Sequence, residues 1–383
     1  MELVSRFFEI PDQSCFLFGP RGTGKSTWLR NRLPDALFLD LLDPALHRSL
    51  DARPERLREL LAGSPRTGSV IIHEIQRIPE LLTVVHALME EPSPPRFILT
   101  GSSARKLRRG GVDLLGGRAV RRTMHPFMAA ELPAFDLGRA LETGLLPLVM
   151  AASDPADVLS AYASLYLEQE VRAEGLTRNV GNFARFLEAV SFSHGAQLNV
   201  SAVARECEVE RKVVAGYVGI LEDLLLAFRL PVFRKRAKRA TVTQEKIYLF
   251  DAGVFRSLRP RGPLDRADEI AGQALEGLVA QHLRAWIAYS RHDAEVFFWR
   301  TRGGTEVDFV VYGEPGLQAF EVKNAMRVHS GDLRPLRAFR KDYPEAETAL
   351  LYRGRERLRI DGIWCLPVQE FLRGIRPDKG LLT

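Results

Sequence analysis

The segment Gly19-Pro-Arg-Gly-Thr-Gly-Lys-Ser26 constrains this chain more than any other feature of its sequence. It follows a short apolar run, Ser14–Phe18, and precedes a segment with a helical pattern that begins near Lys25. The order strand, G-x-x-x-x-G-K-S, helix is typical of a loop that cradles phosphates. Its glycines let backbone N–H groups point inward, and the helix N-terminus adds a favourable partial charge for an anion. The sequence therefore predicts a nucleotide-binding α/β domain.

Two side chains of this loop have specific expected roles. Lys25 is expected to reach the β- and γ-phosphates of ATP, and Ser26 to hold Mg²⁺. ATP and Mg²⁺ are therefore the expected cofactors. The loop residues predicted to surround the nucleotide are Gly19, Arg21, Gly22, Thr23, Gly24, Lys25 and Ser26.

A second apolar run, Val70–Ile72, leads into His73 and Glu74. Glu74 is predicted to be the general base that activates the attacking water. His73 lies where P-loop ATPases usually have the Asp that orients Mg²⁺, and a neutral imidazole does not supply that charge. Hydrolysis is then either weak or assisted by another acid such as Asp40. The alternative is that His73 and Glu74 only begin a helix.

Two more positions are candidates for the same site. Ser102 follows the apolar strand Arg96–Thr100 and could contact the γ-phosphate or the lytic water, although a helix N-cap is an equal alternative. Arg118 follows the turn Leu115-Gly-Gly, which suits an arginine finger supplied in trans within a homo-oligomer. The alternative for Arg118 is an ordinary surface arginine.

The middle of the chain has the pattern of a helix-turn-helix. Asn199–Cys207 and Arg211–Leu221 read as two helices joined by a short turn, and the segment from Phe233 to Phe250 could form a wing. Such a fold with a cation-rich loop predicts DNA binding through phosphates with little base preference, while a protein–protein module is the alternative. The residues of this region predicted to contact DNA are Arg211, Lys212, Arg234, Lys235, Arg236, Lys238 and Arg239. Arg105 and Lys106, in the ATPase domain, are predicted to contact DNA as well, and the alternative for them is an interface.

An acidic constellation lies near the C-terminus. Asp308 is in one predicted strand, and Glu321 and Lys323 share one face of the next because they are two residues apart. Glu276, on the preceding helix, could complete the set. Carboxylates of Glu276, Asp308 and Glu321 could hold Mg²⁺ while Lys323 positions water for attack on a phosphodiester. The alternative is a retained fold in which these charges are structural.

Several segments together resemble the bacterial and archaeal AAA+ family ATPases that carry a C-terminal DUF4143 domain. They are GPRGTGKST, IIHEIQRIPE, FILTGSSARKL and LLGGRAVRRTMHPF, and the resemblance extends from about residue 10 to about residue 330. It implies that Gly22, Gly24, Lys25, Ser26 and Thr27 contact the nucleotide, Glu74 the water, and that Arg118 is the finger. The D…ExK pattern resembles the PD-(D/E)XK nuclease superfamily, and DUF4143 proteins resemble it in the same place.

Charge and cysteine usage set the wider expectations. The 383 residues carry 54 Lys and Arg against 48 Asp and Glu, a net charge of +6, which permits nucleic-acid binding without establishing it. Cys15, Cys207 and Cys365 are far apart and fit a reducing compartment. No signal peptide and no apolar run of membrane-spanning length is visible. We therefore expect a cytoplasmic protein without a membrane partner.

The expected architecture is α/β in three modules. Residues 1–135 are predicted to form a P-loop AAA+ domain with a parallel sheet, 136–262 a helical and winged-helix-like region, and 263–383 a small α/β nuclease-like domain. The first hypothesis is an ATPase that binds and remodels DNA, with branched DNA as a candidate substrate by fold analogy. The alternatives are an ATP-gated, Mg²⁺-dependent nuclease in repair or defence, and a weakly hydrolysing nucleotide switch that binds protein partners.

Overall fold

A computed structural model of the chain describes residues 4–64, 68–102, 115–166, 180–237, 239–263, 265–290 and 292–382. The described residues fall into two compact units. The P-loop unit contains residues 8–125 and 223–226, and the second unit contains the N-terminal residues to Phe7, residues 126–222 and the chain from Ala227 onward. Each unit is described by itself below.

The P-loop unit is built on a five-stranded parallel sheet. Its strands are β1 (Cys15–Phe18), β2 (Leu37–Asp40), β3 (Ser69–His73), β4 (Arg96–Gly101) and β5 (Val120–Thr123), in the order β2-β3-β4-β1-β5. Its helices span Lys25–Arg32, Pro44–Ala52, Arg56–Gly63 and Leu81–Met89. Continuous apolar strands form this sheet because both faces are covered: Phe16 and Phe18 are buried on one face, and Cys15 and Leu17 on the other.

Strand order positions the site in this unit. All five strands run the same way, so their carboxyl ends lie along one edge of the sheet. β4 lies between β1 and β3, which places the residues after β4 between the Gly19–Ser26 loop and the end of β3. Clefts outside the carboxyl ends of parallel strands are where open α/β sheets bind ligands.

The second unit begins with helices and a small antiparallel sheet. The helices span Leu137–Thr143, Pro147–Met150, Pro155–Ala161, Val180–Ser191, Val200–Glu206, Arg211–Asp223, Ala252–Leu258 and Ala267–Tyr289. The strands are β6 (Ala196–Gln197), β7 (Ala227–Leu230) and β8 (Lys246–Leu249), with β8 in the middle of the order β6-β8-β7. Asn199 caps its helix by accepting a hydrogen bond from the Ala202 N–H at 3.0 Å.

The same unit continues into a six-stranded mixed sheet. Its strands are β9 (Ala294–Arg300), β10 (Glu306–Gly313), β11 (Gly316–Lys323), β12 (Glu347–Tyr352), β13 (Leu358–Ile360) and β14 (Ile363–Pro367), in the order β13-β14-β12-β11-β10-β9. The helices Arg334–Asp342 and Val368–Gly374 accompany it. β9, β10 and β11 are antiparallel neighbours, whereas β11, β12 and β14 run parallel.

The predicted fold class is confirmed. The chain has mixed α/β structure, with a parallel sheet around the glycine-rich loop, helices in the middle and a sheet near the C-terminus. Sequence reasoning did not predict β5, β6, β7, β12, β13 or β14. In the ranges that the structure describes, none of the helices combines the length and apolar character needed to cross a membrane.

Candidate functional site

The glycine-rich loop has the backbone of a phosphate cradle. Gly22 and Gly24 have φ angles of +84° and +85°, in the left-handed region that L side chains rarely adopt. At Gly19 a Cβ atom would come within 2.5 Å of the Met124 carbonyl oxygen, so the strand end and β5 leave no space for a side chain there. Gly24 directly precedes the helix Lys25–Arg32 and acts as its N-cap. The loop therefore fits the phosphates of a nucleotide.

Lys25 is buried and its ammonium faces the loop. Its Nζ donates hydrogen bonds to the carbonyl oxygens of Gly19 at 2.6 Å and Pro20 at 3.1 Å. Thr23 is also buried, and its Oγ1 donates to the Pro20 carbonyl at 2.8 Å. The predicted Mg²⁺ ligand Ser26 is half-buried in the first turn of the helix, while Arg21 and Thr27 are exposed. The residues predicted for the nucleotide thus lie together around one loop and helix start.

His73 is the last residue of β3 and is buried beside β4. Its Nδ1 lies 2.6 Å from the Oγ1 of Thr100. Burial lowers the pKa of His73, Lys25 and Arg30 lower it further, and the carboxylates of Glu74 and Asp40 oppose this effect. Asp40 pairs in register with His73 on the neighbouring strand β2 but forms its ion pair with Arg30, at 3.4 Å. A neutral imidazole therefore stands at this strand end.

Glu74 is held in a network that sequence reasoning did not predict in full. It adopts a left-handed conformation, with φ of 61°, and precedes a short 3-10 helix, Ile75–Arg77. The side-chain amide of Gln76 donates to Glu74 Oε2 and, at 3.2 Å, to the hydroxyl of Ser102. Ser102 is buried, at the end of β4. The structure thus brings together two residues predicted separately, Glu74 and Ser102, through Gln76.

The arginine predicted as a finger is engaged within its own chain. The Nε atom of Arg118 lies 2.5 Å from Glu90 Oε1, and both side chains are largely exposed. Arg105 and Lys106, predicted to contact DNA from the same unit, lie outside the described residues, as does Lys238 in the other unit.

The predicted helix-turn-helix segments are helices Val200–Glu206 and Arg211–Asp223. Arg211 and Lys212 are exposed at the start of the second helix, whereas Val214, Tyr217, Val218 and Leu221 face the interior. Along the chain, this helix pair is preceded by the helix Val180–Ser191 and β6, and it is followed by β7 and β8. The chain order is therefore helix, strand, helix, helix, strand, strand.

The basic segment between β7 and β8 is anchored to the six-stranded sheet. Phe233 is buried in the core with Phe297 and Trp299, and its N–H donates to the Phe298 carbonyl at 2.7 Å. Lys235 approaches Glu295 at 3.8 Å and lies 4.2 Å from the ring centroid of Tyr312.

Arg239, in the same segment, pairs with the buried Asp342 at 3.0 Å. Arg234 and Arg236 are exposed. The cations of this segment therefore differ: Lys235 contacts the sheet and Arg239 contacts the helix Arg334–Asp342, while Arg234 and Arg236 are exposed.

The acidic residues that the sequence predicts to lie together form a cluster in the structure. Asp308 Oδ2 accepts a hydrogen bond from the Val322 N–H at 2.8 Å, and Lys323 Nζ lies 2.6 Å from Glu321 Oε1. Neighbouring β10 and β11 thus hold Asp308, Glu321 and Lys323 together. Glu276, from the helix Ala267–Tyr289, joins them, and burial raises its pKa to about 7.

A lysine that sequence reasoning missed lies at the centre of this cluster. Lys246, the first residue of β8, places its Nζ 2.9 Å from Glu276 Oε1, 2.6 Å from Glu306 Oε1 and 3.6 Å from Asp308 Oδ1. Tyr248 donates to the same oxygen of Glu276 at 2.6 Å.

In this arrangement the carboxylate oxygens of Glu276, Glu306 and Asp308 surround an ammonium. No group of three or more His, Cys, Asp or Glu in the described ranges is arranged to hold a metal ion.

Three family models match consecutive ranges of this chain. Residues 11–132 match the family model of the AAA domain, and residues 271–371 match a domain of unknown function, DUF4143. Residues 135–265, between them, match a second domain of unknown function, DUF8612.

Two relatives match over nearly the whole chain. They are uncharacterised proteins of Mycobacterium bovis and Mycobacterium tuberculosis, each 28% identical over 369 residues, which is 93% of this chain and 80% of the relative.

Among solved structures, a signal transduction ATPase with numerous domains and a tetratricopeptide repeat sensor, from Pyrococcus horikoshii, aligns at 15% identity. The alignment covers 72% of this chain and 45% of the other, with a TM-score of 0.19. This chain therefore spans less than half the length of that protein.

Proposed function

The chain joins an AAA domain to a DUF4143 domain, and from that premise we propose that it is an ATPase whose nucleotide cycle acts on DNA without reading its sequence. The AAA domain makes the N-terminal part an ATPase-type nucleotide-binding domain. The proposal adds which residues bind and hydrolyse ATP, that the protein acts on DNA, and which of its cations contact the DNA. The three matched ranges support a division into the modules 1–135, 136–262 and 263–383.

The observation that carries the proposal is the pairing of a phosphate cradle with a positioned carboxylate. Gly19, Gly22 and Gly24 give the loop its shape, and Lys25 supplies a buried positive charge at the same place. Gln76 orients the Glu74 carboxylate at the neighbouring strand end. A carboxylate in that position suits a general base for an attacking water.

Ser26 is the residue that would hold Mg²⁺ beside the phosphates, where the ion would neutralise negative charge. Lys25 would leave the carbonyl oxygens of Gly19 and Pro20 and bind phosphate oxygens, which exchanges neutral acceptors for charged ones. Glu74 would take the proton of the attacking water. Ser102, bonded to the same Gln76, would be close enough to sense whether the γ-phosphate is present.

The DNA part of the proposal rests on exposed cations and local topology. Arg234 and Arg236 are exposed on the segment between β7 and β8, and Arg211 and Lys212 at the start of a helix. Arginine and lysine on a helix pair and an adjacent hairpin are suited to contact phosphates, which gives affinity without base preference. A chain order of helix, strand, two helices and two strands supports a winged-helix interpretation. Branched DNA and a homo-oligomer remain parts of this proposal.

The compartment is proposed to be the cytoplasm. Cys15, Cys207 and Cys365 are all free and buried. Free thiols without a disulfide framework are typical of proteins in a reducing environment.

A second candidate function is a nucleotide switch that binds protein partners and hydrolyses ATP slowly. The observation that favours it is His73, whose neutral ring stands at the end of β3 where a carboxylate would help to hold Mg²⁺. A helix-turn-helix used as a protein-binding module would serve this function equally well.

One experiment separates the two candidates. The ATP hydrolysis rate is measured without DNA and with single-stranded, duplex and branched DNA, and the DNA products are examined on a gel. Stimulation by DNA in the wild type, absent from Lys25→Ala, supports the ATPase that acts on DNA. ATP binding without stimulation by any DNA would favour the switch, and unchanged ATP binding in Lys25→Ala would refute the assignment of the loop.

A further inference from the structure

We infer that Lys246 is a built-in cation that fills the acidic site of the DUF4143 domain, so that this site is a structural ion-pair cluster and not a divalent-metal centre. This inference goes beyond the proposed ATPase and concerns a different part of the chain. It also decides against cleavage of DNA by the D…ExK residues.

The geometry around Lys246 is that of an ion in a coordination cage. Its side chain is only 2% exposed, and carboxylate oxygens approach Nζ at 2.6 Å (Glu306), 2.9 Å (Glu276) and 3.6 Å (Asp308). These acids come from the helix Ala267–Tyr289 and from β10. Burial alone lowers the pKa of Lys246, but the surrounding carboxylates raise it well above its ordinary value, so the ammonium stays charged.

The remaining negative charges of the cluster are largely offset by two further cations. Lys323 pairs with Glu321 at 2.6 Å, and Arg300 pairs with the second oxygen of Glu306 at 3.1 Å. The cluster thus holds the four acids Glu276, Glu306, Asp308 and Glu321 against the three cations Lys246, Lys323 and Arg300. Buried charges persist in proteins when they are paired in this way.

A divalent ion would have to remove the ammonium before it could bind. Two cations at the same carboxylate oxygens would repel each other strongly in a buried site. Lys246 has little freedom to withdraw, because β8 is the middle strand of its sheet and Lys246 is paired there with both Gln197 and Leu230. Its ammonium also lies 5.5 Å from the ring centroid of Phe298.

The filled site has a structural role that a metal site would not need. Lys246 belongs to the segment next to the helix-turn-helix, whereas its acids belong to the helix Ala267–Tyr289 and to β10. The ion pairs therefore fasten β8 to the six-stranded sheet within one compact unit. Removing one partner of a buried pair is strongly destabilising, because it leaves an uncompensated charge in the interior.

Glu321 gives the inference its sharpest test. Its Oε2 atom is buried and has no hydrogen-bond partner among the residues that the structure describes. A metal centre would require this carboxylate as a ligand. A structural cluster would tolerate Glu321→Gln, because the amide keeps the shape and the contact with Lys323 through its oxygen.

In the experiment, Mn²⁺ binding is measured by calorimetry and by electron paramagnetic resonance in the absence of nucleotide. It uses the full chain carrying Lys25→Ala, so that the loop site does not contribute. We expect no Mn²⁺ ion at the acidic cluster and the same thermal midpoint in excess EDTA and in excess Mn²⁺. In the same background, Lys246→Met should bind one Mn²⁺ ion and be stabilised by it, while Lys341→Met, an exposed control, should behave like its parent.

Two results would overturn the inference. One is a single Mn²⁺ ion bound while Lys246 is intact and lost in Glu321→Gln. The other is Mg²⁺-dependent cutting of DNA by the wild type that Glu321→Gln abolishes. If Lys246→Met does not fold, the parent protein and Glu321→Gln still decide the question, since both retain the lysine.

Discussion

The imidazole Nδ1 of His73 lies 2.6 Å from the hydroxyl oxygen of Thr100, and this contact ties the carboxyl ends of β3 and β4 together beside the glycine-rich loop. Because burial lowers the pKa of His73, the ring is neutral at physiological pH. The two strand ends are thus joined by a neutral hydrogen bond, at a place where a negative charge would help an ATPase to hold Mg²⁺.

Replacement of His73 by Asp should therefore accelerate ATP hydrolysis. A carboxylate at this position would attract Mg²⁺ beside Ser26, and we expect a rise in turnover of about tenfold, equivalent to about 1.4 kcal/mol of activation free energy. Steady-state phosphate release is the measurement. The matched control is His73→Asn, which keeps a polar neutral side chain and should not accelerate hydrolysis. Equal rates in both variants would contradict the idea that the missing charge limits turnover.

Gly19→Ala should disable the loop. The new Cβ would lie 2.5 Å from the Met124 carbonyl oxygen, so the backbone must shift and the phosphate-binding N–H groups shift with it. We expect nucleotide affinity to fall at least about tenfold and the free energy of unfolding to drop by about 1–3 kcal/mol. Fluorescent-nucleotide titration and urea denaturation measure the two effects.

Gly63→Ala is the control for this substitution, because its Cβ meets nothing within 4 Å. Normal nucleotide affinity in Gly19→Ala would show that the loop does not hold phosphates.

Substitutions of different cations in the basic segment between β7 and β8 should have different effects on DNA binding. Arg234→Gln and Arg236→Gln together should weaken DNA binding and reduce the salt dependence of the affinity by about two ion equivalents, because both side chains are exposed. Fluorescence anisotropy at several salt concentrations measures this change.

Arg239→Gln is the internal comparison. Its guanidinium faces the buried Asp342, so the substitution should lower the free energy of unfolding by about 1 kcal/mol and leave the DNA affinity nearly unchanged. If DNA affinity falls equally in Arg239→Gln and in the double variant, the exposed pair has no special role.

The buried His282 should make stability depend on pH. Its Nε2 accepts a hydrogen bond from the Ala129 N–H at 2.8 Å, its Nδ1 faces the Leu278 carbonyl, and burial lowers its pKa to about 4. A lowered histidine pKa stabilises the fold above pH 6.5, and this stabilisation is lost as the pH falls toward 4.

His282→Gln should remove that contribution. Between pH 7.5 and pH 5, the wild type should lose about 2 kcal/mol more unfolding free energy than the variant. Urea denaturation at both pH values measures the difference. Comparison with the variant cancels the opposite contribution of Glu276, whose raised pKa favours folding at lower pH. Parallel pH profiles would mean that His282 is not neutral and buried in solution.

Sequence reasoning predicted elements well where the pattern was local. Strands β1, β3 and β4, the two helices beginning at Val200 and Arg211, and strands β10 and β11 all follow from apolar runs or helical periodicity. β5 was not predicted, because Val120–Thr123 contains two arginines and only one large apolar residue. Its place in the sheet depends on pairing with β1, which is distant in sequence.

The same limit applies to the sites. The residues around the phosphate loop are neighbours in sequence, so their grouping was predictable. Lys246 is 30 residues from Glu276 and 60 from Glu306, and no local pattern connects them. Its contacts arise because β8 and β10 fold into one unit. Gln76 was missed for a different reason, since an amide next to a predicted base carries no motif.

Residues 231–242 are hydrogen-bonded through their backbone to β9 and to Arg302, which follows it. Phe233 and Val242 donate to the Phe298 and Arg300 carbonyls, and Phe298 and Arg302 donate to the Pro231 and Ala240 carbonyls. These bonds occupy the outer side of β9, which would otherwise offer free N–H and C=O groups to a strand of another molecule. The basic segment between β7 and β8 therefore also protects the sheet from pairing with a strand of another molecule. Variants that loosen this segment should aggregate before they unfold.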